Sequence, residues 1–421
     1  MKRWAALAAA AALAGCGGGG GHDHGRSPAR GTMSPRPPSA QEELKALLSR
    51  RARALQDGDV KAYAATAIGA QRTADRRAAR NARGLPLRAV RLTAQHIDLH
   101  GRSAVLQARS GYALAGVQGR FDAERMMRAV RTADGWRIRS ETSRRRRHPW
   151  EVAPFTAQRS RHFLILAPYG LDDSGLTDAL EAGYARIKTI LAAGRLRRRY
   201  AVVVAADARQ ARQMTSGIRG VATLAAISDT AVREEGAAER VARISSQRLL
   251  VVWSAFAPLD PDGRQRVVAH ELTHAALADV TSGRTPSWLL EGIALYVSGD
   301  RRVAEAAQLV GAEALGGGAP RRALTLTGLS DPDAIARLGG DAQTAAYAYA
   351  SSAAFYIVAR YGRRRFLDLY DVFNQDSLPG RPGPTLVDRA LRRVLHVPLL
   401  KLERNLRDWI VTRAVVAPEA P

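Results

Sequence analysis

HELTH, residues His270–His274, lies inside an apolar-periodic run, Arg266–Ala278, that predicts a helix. Two histidines four positions apart project from one face of a helix, so both imidazoles can bind the same metal ion. Zinc suits neutral imidazole and keeps one position open for water in catalytic sites. Glu271 neighbours the first histidine, and we expect it to take a proton from such a water without itself binding the metal.

A third metal ligand is expected at Glu291. It follows His274 after an interval in which the first helix can end, turn at Ser282-Gly283 and give way to a second helix. A carboxylate beside two imidazoles is a ligand set that zinc uses in catalytic sites. The alternative is a helix that carries two histidines for structural reasons, and the downstream glutamate argues against it.

HELTH followed by Trp288–Tyr296, WLLEGIALY, resembles the gluzincin metallopeptidases, and most of all the bacterial peptidase MA-like group. The resemblance covers about residues 160–412. It implies a zincin fold in which both helices face a cleft bordered by an edge strand. It also implies Zn²⁺ as cofactor and a role for each motif residue: His270, His274 and Glu291 as zinc ligands and Glu271 as general base.

The chain departs from that family at one position. Thermolysin-like enzymes have an acid four residues after the ligand glutamate, where it orients a ligand histidine, but this chain has Leu295. The sequence therefore does not identify the residues that would hydrogen-bond to the metal ligands and adjust their basicity. There is also no G-x-M-x-N stretch of the kind that aminopeptidase gluzincins use to hold a free amino terminus.

A long apolar-periodic helix is predicted at Thr344–Tyr361, ended by Gly362, and it carries Tyr347 and Tyr349. A phenol that reached the cleft would donate a hydrogen bond to the developing oxyanion. The run also resembles the peptidase MA-like pattern. The alternative for both tyrosines is packing within a helical core.

Residues 1–16 are predicted to be an export signal. Basic residues precede an apolar stretch, Trp4–Ala14, and Leu13–Cys16 resembles the bacterial lipobox, which implies lipid on Cys16. Cys16 is the only cysteine, so it has no disulfide partner within the chain. The alternative is an ordinary signal peptide. Residues 17–39, rich in Gly and Pro, are predicted to be a flexible linker.

Residues 40–142 are predicted to form a small α+β domain. Two short helices precede four strand-like segments, and Asp134-Gly135 signals a hairpin turn between the last two. The order resembles the nuclear-transport-factor-two-like fold. Residues 143–157, with the arginine run Arg144–Arg147, are interpreted as a solvated linker.

Residues 158–412 are predicted to hold the zincin-like domain, and 413–421 a tail. Buried strands are expected at Phe163–Leu166, Tyr200–Ala205 and Leu249–Trp253, with a helix at Asp178–Ala192 after the first. Two further helices close the domain. The fold class is therefore α+β, with a mostly helical C-terminal part.

The net charge of +25 favours anionic polymers and membranes non-specifically. Almost all of the basic residues are arginines, which indicates a coding bias before it indicates a binding site. No motif of the common nucleic-acid-binding modules occurs, so nucleic acid is not an expected partner.

Together these features predict a zinc metallopeptidase that acts on peptides or proteins, anchored by Cys16 to the outer face of a bacterial cell membrane. Two alternatives stay open. One is a binding lipoprotein that keeps a zincin fold without catalysis, although a scaffold has no physical need for Glu271. The other is a zinc enzyme that hydrolyses a non-peptide amide.

Overall fold

The computed structural model describes residues 37–143, 146–215, 224–233, 243–314, 324–375 and 377–416. Cys16, most of the linker and the end of the tail lie outside these ranges. The strands are β1 Leu87–His100, β2 Ser103–Leu114, β3 Phe121–Thr132, β4 Gly135–Ser143, β5 Phe155–Arg159, β6 Phe163–Pro168, β7 Tyr200–Ala205, β8 Ala226–Arg233 and β9 Arg243–Val252. The helices are α1 Ala40–Gln56, α2 Val60–Ala65, α3 Gly69–Ala82, α4 Pro149–Val152, α5 Leu176–Lys188, α6 Ala208–Met214, α7 Trp253–Phe256, α8 Pro261–Leu277, α9 Ser287–Ser298, α10 Val303–Ala314, α11 Gly340–Tyr361, α12 Arg363–Val372, α13 Pro384–Leu395 and α14 Leu399–Val416.

The first sheet is an antiparallel meander of strands in the order β1-β2-β3-β4, covered by α1. The predicted hairpin turn is present: Thr132 pairs with Gly135, whose φ of 94° suits glycine. With the helical C-terminal part, this sheet confirms the predicted mixture of helices and antiparallel strands. Helix α3 was not predicted, because its buried stripe consists only of Asp75, Ala79 and Ala82.

The hollow of the first sheet is filled by buried charged side chains. Arg51, which is 1% exposed, donates to Asp75 and lies 2.7 Å from Glu141. Arg125 donates to both carboxylate oxygens of Glu151 at 2.9 and 3.0 Å. Such paired charges satisfy one another where water is excluded. Two cavities adjoin these side chains, one of about 30 Å³ and one of about 360 Å³.

The second sheet has the order β5-β6-β7-β9-β8. Strands β6, β7 and β9 run parallel, whereas β5 and β8 pair antiparallel with their neighbours at the two edges. The three parallel strands are those predicted from the sequence. Both of their faces are buried, and this explains their continuous apolar runs. The sequence did not predict β5 or β8.

The two faces of the second sheet belong to different cores. Phe163 and Ile165 of β6 pack in the core that contains α5 and α8. Leu164 and Leu166 point to the other face, where they share a core with Tyr112 of the first sheet. The first sheet thus covers one side of the second.

The turn between β2 and β3 rests directly on β9. The N–H of Arg120 donates a 2.8 Å hydrogen bond to the carbonyl of Ser245. A Cβ on Gly119 would lie 2.9 Å from the same oxygen, so this contact needs glycine. The segment 143–157, interpreted as a linker, carries α4 and the first residues of β5. Ala40–Pro421 form one compact unit.

The HELTH stretch lies on α8, which confirms the predicted helix. Asp260 caps this helix by accepting from the N–H of Gly263, and Pro261 occupies the first turn. Helix α9 ends at Gly299 in the left-handed region, and α11 ends before Gly362 as predicted. Among the described residues, no helix combines the length and the apolar character needed to cross a membrane.

Two glycines bring the central helices close together. A Cβ on Gly183 of α5 would lie 2.4 Å from Cγ1 of Val268 on α8. A Cβ on Gly292 of α9 would lie 2.8 Å from the carbonyl oxygen of Ala350 on α11. Helix α5 therefore packs on α8, and α9 on α11, at distances that a side chain at either glycine position would prevent.

Candidate metal centre

His270 and His274 lie one turn apart on α8, with their Nε2 atoms 3.1 Å apart. Their ring planes are inclined at 80°, so the two imidazole rings are not stacked face to face. Leu272 and Thr273, which lie between them in the sequence, are fully buried. The apolar packing of one side of α8 therefore turns the imidazoles toward the other side.

Glu291 comes to the same place from α9. Its Oε2 lies 3.3 Å from Nε2 of His270 and 3.5 Å from Nε2 of His274. Ligand atoms bound tetrahedrally to zinc at about 2.0–2.1 Å are about 3.3 Å apart. Glu291 Oε2 is buried and makes no hydrogen bond of normal geometry with any described residue. These three side chains therefore fit a zinc ion in both spacing and chemistry, and no other group in the described ranges does.

His274 and Glu291 stabilise each other's charged form. Burial lowers the pKa of His274, but the Glu291 carboxylate outweighs it and raises that pKa to about 9. Burial alone would raise the pKa of Glu291. The two imidazoles outweigh this effect and hold the pKa of Glu291 well below its usual range. The carboxylate is thus ionised and ready to bind a cation.

Glu271 lies beside the triangle and contacts strand β8. The backbone N–H of Ser228 donates a 2.6 Å hydrogen bond to its Oε2. Burial raises the pKa of the Glu271 carboxyl, and the nearby Glu291 carboxylate raises it further, whereas the imidazoles and the Ser228 N–H oppose the change. A carboxylate whose proton affinity is increased in this way is suited to accept a proton.

Ion pairs of Asp229, the residue after Ser228, hold strand β8 in place. The buried carboxylate of Asp229 accepts from Nε of Arg248 on β9 at 2.9 Å. Arg146 lies 3.2 Å from the same carboxylate oxygen. This arginine belongs to the run Arg144–Arg147 that we interpreted as solvated, yet its side chain is only 19% exposed. The segment before α4 thus helps to hold the strand that contacts Glu271.

The structure separates the two candidate tyrosines. Tyr347 is half-buried, and the Glu291 carboxylate, followed by burial and Glu271, raises the pKa of its phenol. Tyr349 is fully buried, and after burial it is Glu403 that most raises its pKa. Residues two apart point to different sides of a helix. Tyr349 packs in the helical core, which is the alternative given for both tyrosines.

The described residues around the ligands differ from a thermolysin-like arrangement. Leu295 is 1% exposed and lies in the apolar core. No hydrogen bond joins Nδ1 of His270 or His274 to a described residue. The sequence analysis missed Ser228 and Asp229, because Ala226–Arg233 has no regular alternation of apolar and polar residues that would signal a strand.

The chain matches no family model and no curated protein.

Proposed function

We propose that the chain is a zinc metallopeptidase of the gluzincin type with a zincin fold. The observation that carries the proposal is the triangle of His270, His274 and Glu291, with Glu271 beside it but outside it. A structural role for the three ligands alone would not require a fourth side chain, the half-buried carboxylate of Glu271. A zinc ion held by the three side chains would supply Lewis-acid chemistry, polarising a carbonyl and acidifying a water molecule.

Glu271 performs the proton transfers in this proposal. Its carboxylate removes a proton from the attacking water and then delivers it to the leaving amine. The increased pKa favours holding that proton between the two steps. Because Oε2 accepts from the N–H of Ser228, the carboxylate has a defined orientation before substrate binds.

Tyr347 stabilises charge that develops on the substrate carbonyl oxygen. Its pKa is raised above the ordinary value, mainly because of Glu291, so the phenol keeps its proton and can donate a hydrogen bond. Gly292 lets α9 pack closely against α11, which carries this tyrosine.

Strand β8 supports a peptide as the substrate class. Among the described residues it is an edge strand, and the Ser228 N–H points away from β9 toward Glu271. An extended peptide can add to such an edge through backbone hydrogen bonds other than the one that Ser228 makes with Glu271, and its carbonyl groups would then lie near the metal centre.

Anchoring to the outer face of the cell membrane through lipid on Cys16 is part of the proposal. It is supported by the sequence Leu13–Cys16 alone. No nucleic-acid partner is proposed.

The test uses residues 17–421, which include the whole compact unit. We expect close to one zinc per chain by elemental analysis and zinc-dependent hydrolysis of casein. A chelator should abolish cleavage, and added zinc should restore it. A folded sample that takes up no zinc would refute the metal centre. Zinc binding without cleavage of any protein would refute the peptidase and favour a binding protein or another amide substrate.

A further inference from the structure

A groove between α2 and α3, remote in sequence from the metal centre, is lined by cationic side chains. It has a volume of about 600 Å³. One wall carries Lys61 of α2, and the other carries Arg72, Arg76, Arg80 and Arg83. All five side chains are exposed.

The arginines form a row because of helix geometry. Arg72, Arg76 and Arg80 recur every four residues, so they share one face of α3 and span about 12 Å along it. The side of α3 that packs against the protein carries Asp75 and Ala79 instead. Packing therefore does not explain the row.

The positive charge of the groove is not neutralised within the described part of the chain. None of the five side chains makes a hydrogen bond or an ion pair with a described residue. The one acidic side chain in the lining is Asp59, which caps α2 by accepting from the N–H of Ala62 at 2.8 Å. Like charges at four-residue spacing oppose helix formation, and a bound anion would relieve that repulsion.

We propose that this groove binds the head groups of anionic phospholipids at a membrane surface. Guanidinium groups donate paired N–H bonds to phosphate oxygens, and a row of about 12 Å can meet neighbouring head groups. The predicted lipid anchor on Cys16 would keep the groove near such a surface. Residues 17–39, which connect Cys16 to α1, can span at most ~80 Å. The proposal does not depend on zinc or on catalysis.

The test measures sedimentation of residues 17–421 with vesicles, so that no lipid on Cys16 contributes. The variant replaces Arg72, Arg76, Arg80 and Arg83 by Gln. The matched control makes the same four changes at exposed arginines on other elements: Arg128, Arg209, Arg364 and Arg404. Circular dichroism checks that both variants fold. Equimolar phosphatidylglycerol and phosphatidylcholine vesicles are compared with pure phosphatidylcholine.

We expect binding to the anionic vesicles alone, weakened by salt. Each groove arginine should contribute roughly five-fold, so the groove variant should bind two to three orders of magnitude more weakly than wild type. The control variant should lose much less. Equal losses in the two variants, or no binding by wild type, would overturn the proposal. Groove-dependent binding of a single-stranded oligonucleotide that is tighter than vesicle binding would assign the groove to a phosphodiester polymer instead.

Discussion

The backbone N–H of Ser228 on β8 donates a 2.6 Å hydrogen bond to Oε2 of Glu271 on α8. The edge strand of the second sheet and the carboxylate proposed as general base are thus joined directly. Because the donor is a backbone group, no side-chain exchange other than proline removes it. The orientation of Glu271 therefore depends on the position of the strand.

Glu271→Gln should separate proton transfer from metal binding. Glutamine has similar size and leaves His270, His274 and Glu291 in place, so zinc content and stability should stay close to wild type. Hydrolysis should fall about 10²–10⁴-fold, the usual contribution of general acid–base catalysis. Zinc analysis and casein cleavage on the same samples measure both quantities.

His274→Ala provides the contrast, because it should lose metal and activity together. Glu305→Gln on α10, outside the centre, serves as the carboxylate control and should change neither. If wild type and Glu271→Gln cleave equally well, the proposed mechanism is wrong.

Asp229→Asn should destabilise the protein strongly. It leaves Arg248, which is 2% exposed, without its charged partner, and breaking a buried pair costs about 3–5 kcal/mol. Arg146→Gln keeps the Asp229–Arg248 pair and should cost about 1 kcal/mol or less. Urea unfolding of both variants measures the difference, and similar losses would contradict our account of how β8 is held.

Gly292→Ala should also destabilise the protein, by about 1–3 kcal/mol, because the new methyl group would lie against a backbone oxygen of α11. Gly311→Ala is its matched control. That glycine lies on α10 with nothing within 4 Å of an added Cβ, so alanine should raise the free energy of unfolding by about 0.5–1 kcal/mol. Thermal unfolding of the two variants measures whether each alanine lowers or raises the stability, and we expect changes in opposite directions.

His148 should make stability depend on pH. Burial, followed by the charges of Arg125, Arg248 and Arg146, lowers the pKa of His148 well below its ordinary value. The carboxylate of Glu151 accepts a hydrogen bond from the backbone N–H of His148. Below about pH 6.5 the unfolded chain therefore binds a proton that the folded chain does not, so stability falls as the pH falls toward the lowered pKa.

The measurement compares wild type with His148→Gln by urea unfolding at pH 7.5 and 5.5. Between these values wild type should lose about 1 kcal/mol more than the variant. The variant loses ring contacts with Trp150 and Tyr112, so it should be less stable at both pH values. Parallel pH profiles would show that His148 is not the group responsible.

Local signals account for what the sequence predicted. Asp260-Pro261 marks the start of α8, and the four-residue spacing of His270 and His274 requires only that the helix form. Glu291 was predicted with the help of the family resemblance, and the structure brings it to the histidines.

Contacts between distant segments account for what the sequence missed. Ser228 matters only because β8 pairs with β9 and so meets α8, and nothing near residue 228 encodes that pairing. The continuous apolar run of β6 indicates that both of its faces are buried, but not that Tyr112 covers one of them. The arginine run before α4 could not indicate that Arg146 pairs with Asp229 across the chain.

The core that the two sheets share has a consequence for the order of folding. During synthesis, Tyr112 and Phe121 leave the ribosome long before Leu250 and Val252 of β9, against which their cluster packs. Until β9 follows, the nascent first sheet exposes an apolar face, the kind of surface that aggregates or recruits chaperones. Completion of this shared core therefore waits for the synthesis of β9.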